Sequence, residues 1–266
     1  MNEGVEQARS GELEEAESTL RRALQLDPSS AEAWLNLGHV HRRQERTGDA
    51  ARAFRSGLEV AEGALAHEHR FWLAKTELET VRSSPMSYEQ RRSKTRELLG
   101  ELGTVVEVLP GRAQAWLHVA ECHEFLGELN KADAAYRHAI EADPMLSLAF
   151  VGLGLMYMDY GYANLAMTVL ETNVQVNDQD SEAWYGLGRA HTTLGRHEEA
   201  ITALDKARAL APDESKILYA LGMAHAELRH RRESIDLLER VVAAPDVPEQ
   251  NRKAANNTIA RMQDVL

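Results

Sequence analysis

The sequence predicts an all-α protein built from antiparallel helix pairs stacked one after another. Three observations lead to this prediction. Ala, Leu, Glu and Arg, which favour helices, are abundant, whereas aromatic residues make up only 6% of the 266 residues. Apolar residues recur at steps of three and four, the spacing of one face of a helix. Small and aromatic residues also recur at a constant step of 34 residues, which indicates a repeated unit.

The 34-residue step is shared by four series of residues. Two consist of glycine, one of alanine and one of large apolar residues: Gly154, Gly188 and Gly222; Gly127, Gly161 and Gly195; Ala132, Ala166 and Ala200; and Trp116, Phe150, Trp184 and Leu218. Glycine and alanine at fixed places let two helix backbones approach closely, and the second glycine series lies where a short turn is needed. Each period therefore predicts a helix, a turn and a second helix.

The order of residues within a period resembles the tetratricopeptide repeat. The pattern is a Trp-x-x-Leu-Gly start, a turn glycine, a second stripe of small and apolar residues, and a proline. One period shows it at Trp184, Leu187, Gly188, Gly195, Ala200, Leu204, Ala207 and Pro212. The resemblance covers nearly the whole chain. It implies a right-handed superhelical solenoid of antiparallel helix pairs, in which each pair covers the apolar face of its neighbour.

This resemblance predicts a single solenoid over residues 1–266, with about seven units and a last helix. The units are 1–30, 31–64, 65–112, 113–146, 147–180, 181–214 and 215–248, and a capping helix covers 249–266. The first unit is truncated, either because the chain was cut from a longer array or because a short helix caps that end. In the capping helix, Ile259, Met262 and Leu266 are expected to pack inward.

The third unit is irregular. Trp34 and Trp116 are 82 residues apart, which is 14 more than two periods of 34. The unit therefore predicts two long helices, over about 65–82 and 86–109, with Pro85 suited to the first turn of the second. The second helix carries a basic cluster, Arg91, Arg92, Lys94 and Arg96. This cluster is either a solvated helix face or part of a projecting hairpin that contacts a partner or another copy.

Charge and composition narrow the classes of partner. The net charge is −12 at pH 7, which argues against nucleic acid, because such binding needs a basic face. No stretch is long and apolar enough for a transmembrane helix, so direct membrane insertion is not expected. The single cysteine, Cys122, excludes an intrachain disulfide. We expect a cytoplasmic protein, or a periplasmic one if a signal sequence was removed.

The candidate chemical groups do not form a catalytic or metal set in the sequence. Four histidines lie at the same place in different units: His41, His123, His191 and His225. Stacked helix pairs are about 10 Å apart, whereas a zinc ligand lies about 2 Å from its metal. Neighbouring units therefore cannot share an ion through these residues. No metal, cofactor or enzymatic activity is expected.

The resemblance also implies a concave groove lined by the first helix of each unit. Carried over to this chain, the groove residues are Leu117, Glu121, Val151, Leu155, Met158, Tyr185, Arg189, Thr192, Tyr219 and Met223. Most are apolar, on a surface that should be wet, and exposed apolar patches usually mark binding sites. The groove would bind another protein, unless the last helix or a neighbouring molecule fills it.

These observations predict a non-enzymatic adaptor or scaffold that holds an apolar peptide or helix of another protein in this groove. The alternative is a self-assembling structural module, which forms dimers or filaments by stacking its end units on another copy.

Overall fold

The fold is all-α, as predicted. The computed structural model describes residues 2–263, which form fifteen α-helices and, within that range, no strand. The helices fall into two compact units, Met1–Asp143 and Pro144–Leu266. Each unit consists of antiparallel helix pairs in chain order, and the single continuous solenoid stays a prediction.

The first unit contains eight helices in the described residues. They are α1 (Asn2–Ser10), α2 (Leu13–Leu26), α3 (Ala31–Arg43), α4 (Thr47–Val60), α5 (Gly63–Ser83), α6 (Tyr88–Val108), α7 (Ala113–Leu126) and α8 (Leu129–Ala142). Each helix packs against the next, and the second helix of one pair also packs against the first helix of the following pair. The apolar core of this unit therefore runs between pairs as well as within them.

The second unit contains seven helices in the described residues. They are α9 (Ser147–Asp159), α10 (Ala163–Val176), α11 (Ser181–Thr193), α12 (His197–Leu210), α13 (Ser215–Glu227), α14 (Arg231–Ala243) and α15 (Glu249–Gln263). The last helix, α15, packs against α14 and α13. Ile259 lies against the apolar core there and Met262 is half-buried, whereas Leu266 lies outside the described residues.

The repeated glycines meet a leucine of the partner helix. A Cβ atom added at Gly188 would lie 2.5 Å from Cγ of Leu204, far inside van der Waals contact. The same contact recurs one period earlier, between Gly154 and Leu170. The leucine side chains are fully buried, so these two helix pairs close by seating a leucine on a bare stretch of backbone. The turn glycine Gly195 has a φ of 70°, a conformation that glycine adopts at little cost.

The third predicted unit contains two helices of 21 residues each, α5 and α6, close to the predicted bounds. The prediction that Pro85 lies in the first turn of the second helix is wrong. Helix α6 begins at Tyr88, because Ser87 caps it: the Ser87 hydroxyl accepts a hydrogen bond from the Gln90 N–H, and the Gln90 side chain accepts one from the Ser87 N–H. This reciprocal pair satisfies two backbone donors and fixes the start of the helix.

The junction between α4 and α5 uses a different contact. His69 of α5 is fully buried, and its Nε2 lies 2.9 Å from the carbonyl oxygen of Ala31. Its ring lies over Gly57 of α4, where an added Cβ would come within 1.9 Å of Cε1. An imidazole thus packs on a bare glycine between two neighbouring pairs, and only glycine leaves room for it.

Replacing Gly57 with alanine should therefore destabilise the protein. We expect the free energy of unfolding to fall by about 1–3 kcal/mol, because the His69 ring is enclosed and cannot move aside. Urea denaturation followed by circular dichroism measures the change. The matched control is Gly100→Ala in α6, where nothing lies within 4 Å of the added Cβ; it should raise stability by about 0.5–1 kcal/mol. Equal effects of the two substitutions would contradict this packing.

Candidate functional site

In the second unit, the first helices of successive pairs lie side by side, since α11 contacts both α9 and α13. We call the surface they form the first-helix face. Its apolar residues are Leu148, Leu155, Met158, Tyr185 and Tyr219. Leu148 is 62% exposed and the other four are half-buried. An apolar stripe with access to solvent thus runs across three helices.

Two cations flank the tyrosine in the middle of this face. The guanidinium carbon of Arg189 lies 5.8 Å from the centre of the Tyr185 ring, and Nζ of Lys216 lies 5.5 Å from it. Lys216 also pairs with Glu182 at 2.5 Å, so its charge is compensated. Arg189 makes no ion pair within the part of the chain that the structure describes, which leaves its charge available to a carboxylate.

Three other predicted groove residues of the second unit are less accessible to a ligand. Val151 is only 9% exposed, because its side chain packs inside the unit. The hydroxyl of Thr192 donates to the carbonyl oxygen of Gly188 at 2.9 Å. Met223 lies beneath the last helix, where Oγ1 of Thr258 is 3.7 Å from its sulfur. The helix α15 thus covers one end of the first-helix face, while the part around Tyr185 stays half-exposed.

Two predicted groove residues, Leu117 and Glu121, belong to the first unit. Leu117 is 5% exposed and is therefore a packing residue. Glu121 accepts hydrogen bonds of 2.7 Å from Arg82 and from His118. Burial of Glu121 opposes its ionisation, but the contacts with His118 and Arg82 outweigh that effect and hold its pKa below the ordinary value. This carboxylate is already neutralised by its own neighbours.

The predicted basic cluster of α6 is partly used within the chain. Lys94 bridges Glu77 and Glu97 at 2.7 Å each, and Arg91 donates to the carbonyl oxygen of Ser84. Arg92 is half-buried and Arg96 is exposed. Two of the four cations therefore stabilise the α5–α6 hairpin, and a partner contact by this hairpin stays a prediction.

The sequence did not indicate an aromatic cluster around Trp72 in the first unit. The rings of His39 and Trp72 meet edge to face, with their centres 4.6 Å apart. The guanidinium carbon of Arg42 and Nζ of Lys75 lie 4.9 Å and 5.1 Å from the centre of the Trp72 ring. Burial, together with the nearby charge of Arg42, lowers the pKa of Lys75. The same two causes lower the pKa of His39 from 6.5 to about 4, so this imidazole is neutral at pH 7.

The repeat pattern assigns Trp72 no role because this residue lies in the irregular unit. The 14 extra residues break the 34-residue step, so no period assigns Trp72 a place on the groove. The signal that could have found it is local: the tryptophan precedes Lys75 by three residues, which puts the two on one helix face.

The described residues contain no cluster of metal-ligating side chains and one buried thiol, that of Cys122. Between residues 2 and 263, no three His, Cys, Asp or Glu side chains come together as a metal site would require. Cys122 is 2% exposed, and its burial, with the nearby charge of Glu121, raises the pKa of the thiol to about 12. A thiol of this kind is inert near neutral pH. Within the same residues, no helix is both long and apolar enough to cross a membrane.

Comparison with family models gives matches to the tetratricopeptide repeat over much of the chain. One tetratricopeptide-repeat model matches residues 1–63 and 165–215, and a second matches residues 113–144. A curated relative, the cytochrome c-type biogenesis protein CycH of Pseudomonas aeruginosa, is 45% identical over 49 residues. That stretch is 18% of this chain and 12% of the relative, so the chain matches only a small part of that protein.

Solved structures share the fold at low sequence identity. A tetratricopeptide repeat protein from Parabacteroides merdae is 13% identical with a TM-score of 0.67, and the match covers 99% of this chain and 97% of that one. A chain of the APC/C hetero-tetramer Cut9–Hcn1 is 15% identical with a TM-score of 0.70. This second match covers 96% of this chain but only 47% of the other, so this chain spans about half of its length. At these identities the likeness shows the fold alone.

The neutral state of His39 predicts a pH-dependent stability. Since the pKa of His39 is lower in the folded protein than in the unfolded chain, the unfolded state binds more protons, and stability falls as the pH drops below 6.5. We expect this histidine alone to cost about 1–2 kcal/mol between pH 7 and about pH 4.5. Thermal melts of the wild type and of His39→Phe, which keeps a ring but cannot titrate, measure the difference. Parallel pH profiles of the two proteins would refute this account.

Proposed function

Since the chain belongs to the tetratricopeptide-repeat family, we propose that it is a non-enzymatic adaptor that binds another protein through the first-helix face of its second unit. The observation that carries the proposal is the half-exposed apolar stripe around Tyr185. A contiguous apolar surface with access to water usually marks a protein-binding site. Tyrosine and methionine are well suited to such a site, because tyrosine is a frequent hot-spot residue and methionine adapts to varied partners.

The proposed ligand is an apolar segment, as a helix or an extended strand, with a carboxylate beside it. Leu148, Leu155 and Met158 would contact the apolar side chains of the segment, and Tyr185 would anchor its centre. Arg189, which lacks an ion-pair partner among the described residues, would bind the carboxylate and set the register of the segment. Burying the ligand against Tyr185 would also exclude water from this ion pair and strengthen it.

The chemistry of the described residues supports a binding role over a catalytic one. On the first-helix face, Glu182 and Lys216 pair with each other. A general base or nucleophile would instead need an activated group with access to a substrate. We expect the protein to act in the cytoplasm, and a periplasmic location is the alternative. Self-assembly through the end units stays a second prediction. The mass of the free chain, measured at several concentrations, tests it.

The proposed function predicts that acidic substitutions on the first-helix face abolish partner binding. The double variant Leu155→Glu with Tyr185→Glu should no longer capture the partner that the wild type captures from native extract in an affinity pull-down. The two substitutions place two negative charges in the apolar contact. A photo-reactive benzoyl-phenylalanine at position 185 should cross-link to the same partner, and mass spectrometry of the cross-link identifies the bound segment.

The matched control changes the same residue types outside the face. Leu165 of α10 is 49% exposed and Tyr162, in the turn before it, is 57% exposed, so Leu165→Glu with Tyr162→Glu should leave capture unchanged. Circular dichroism must show that both variants fold. Capture that survives the first double substitution would exclude this face as the binding site. A mass that rises with concentration in sedimentation, without any captured partner, would favour self-assembly instead.

A further inference from the structure

The first unit contains a cavity of about 490 Å³ on the face formed by its second helices, α2 and α4, with α3 between them. Its floor is apolar: Leu24, Leu37 and Ala53 line it and are 7%, 4% and 3% exposed. One wall is the half-buried indole of Trp34 and the opposite side includes Ser56. This volume lies in the range of small ligand sites, about 300–1,000 Å³.

Comparison with another repeat of the same chain explains why the cavity exists. Trp34 and Trp116 hold equivalent places, and each indole N–H donates to a backbone carbonyl six residues earlier, of Pro28 and Pro110, at 2.9 Å. The residue 22 positions after Trp116 is His138, whose ring packs on that indole with centres 4.6 Å apart. The residue 22 positions after Trp34 is Ser56, and no ring of the described residues packs on Trp34.

The indole face of Trp34 is therefore a stacking surface that no ring of the described residues covers, in contrast to the indole of Trp116. A serine side chain is too short to reach the indole, so the space that His138 fills in the later repeat stays open here. A flat side chain can make the same contact from outside the chain. Stacked or edge-on aromatic pairs add about 0.5–1.5 kcal/mol beyond their buried area. The open cavity thus favours an aromatic group as its occupant.

The charges at the rim specify a second feature of the occupant. Arg21, Arg46 and Arg52 share two carboxylates, those of Glu17 and Asp49: Glu17 pairs with Arg21 and Arg46, and Asp49 pairs with Arg46 and Arg52. Of the residues that line the cavity, Arg21 and Arg52 are positive and Asp49 is negative, which leaves one positive charge in a chain whose net charge is −12. The side chains of Arg21 and Arg52 are 57% and 73% exposed, so their ion pairs are weak and can be exchanged.

We infer that this cavity is a second docking site, which takes an aromatic side chain of a partner protein stacked on Trp34, with an adjacent Asp or Glu of that partner bound by Arg21 or Arg52. The site lies in the first unit and uses none of the residues of the first-helix face. It therefore stands or fails independently of the proposed function.

Short peptides test the inference on the full chain. In two-dimensional NMR, the capped peptide acetyl-Glu-Phe-Glu-amide should shift the indole N–H signal of Trp34 in a saturable way. Acetyl-Lys-Phe-Lys-amide should bind about tenfold more weakly, since its charges oppose those of the rim. Acetyl-Glu-Ala-Glu-amide, which lacks the ring, should give no saturable shift at Trp34. Equal binding of the acidic and basic peptides, or no shift up to the solubility limit, would overturn the inference.

Two reciprocal substitutions provide the structural control. Ser56→His should place an imidazole on Trp34, as His138 lies on Trp116, and should abolish binding of the acidic peptide. His138→Ser should uncover Trp116, so that addition of the acidic peptide also shifts the indole N–H signal of Trp116. Arg52→Glu, at a mostly exposed position, should weaken the acidic peptide without affecting the fold. Unchanged affinity in Ser56→His, with a native-like NMR spectrum, would place the peptide elsewhere and reject the cavity as its site.

Discussion

The architecture depends on one contact, the leucine of a second helix seated on a glycine of the first helix. In the second unit the contact occurs three times, between Gly154 and Leu170, Gly188 and Leu204, and Gly222 and Leu238. A side chain at the glycine would keep the two backbones apart by the width of a methyl group, and the leucine would lose its enclosure. This contact occupies the glycine side of the first helix, so the remaining apolar residues of that helix lie on its other sides. Some of them pack against neighbouring helices and others reach the first-helix face.

The first unit places rings on two of its glycines, and within the α3–α4 pair Phe54 takes the place of the leucine on Gly38. At the α4–α5 junction, His69 lies over Gly57, and the aromatic residues His39, Phe54 and Trp72 gather beside it. Polar aromatic rings in a core need partners, and the His69 ring has the carbonyl oxygen of Ala31 on its Nε2. Burial lowers the pKa of His69 accordingly.

The fold could be predicted from the sequence because its period repeats many times. A glycine recurring every 34 residues and a stripe of leucine and alanine define each helix pair without knowledge of the neighbours. For the candidate site, the sequence predicts which side chains point towards the groove but not how far each one is exposed. Val151 and Leu117 occupy groove places but are buried, because how far a residue protrudes depends on how closely the adjacent helices approach. Met223 lies beneath α15, and the sequence left open whether this last helix fills the groove, because α15 carries no repeat signal.

The two proposed contact surfaces select the same kind of ligand for a common electrostatic reason. The chain is strongly acidic, yet Arg189 on the first-helix face and the arginines around Trp34 are local positive charges beside aromatic rings. At physiological salt, fields are screened beyond about 8 Å, so the repulsion by acidic side chains and the attraction by these arginines both act only close to contact. A long acidic segment would bring several carboxylates within that distance of acidic side chains and would be repelled there. A segment with one carboxylate beside a large apolar residue meets little repulsion, and its apolar group excludes water from the ion pair, which makes that short-range attraction count.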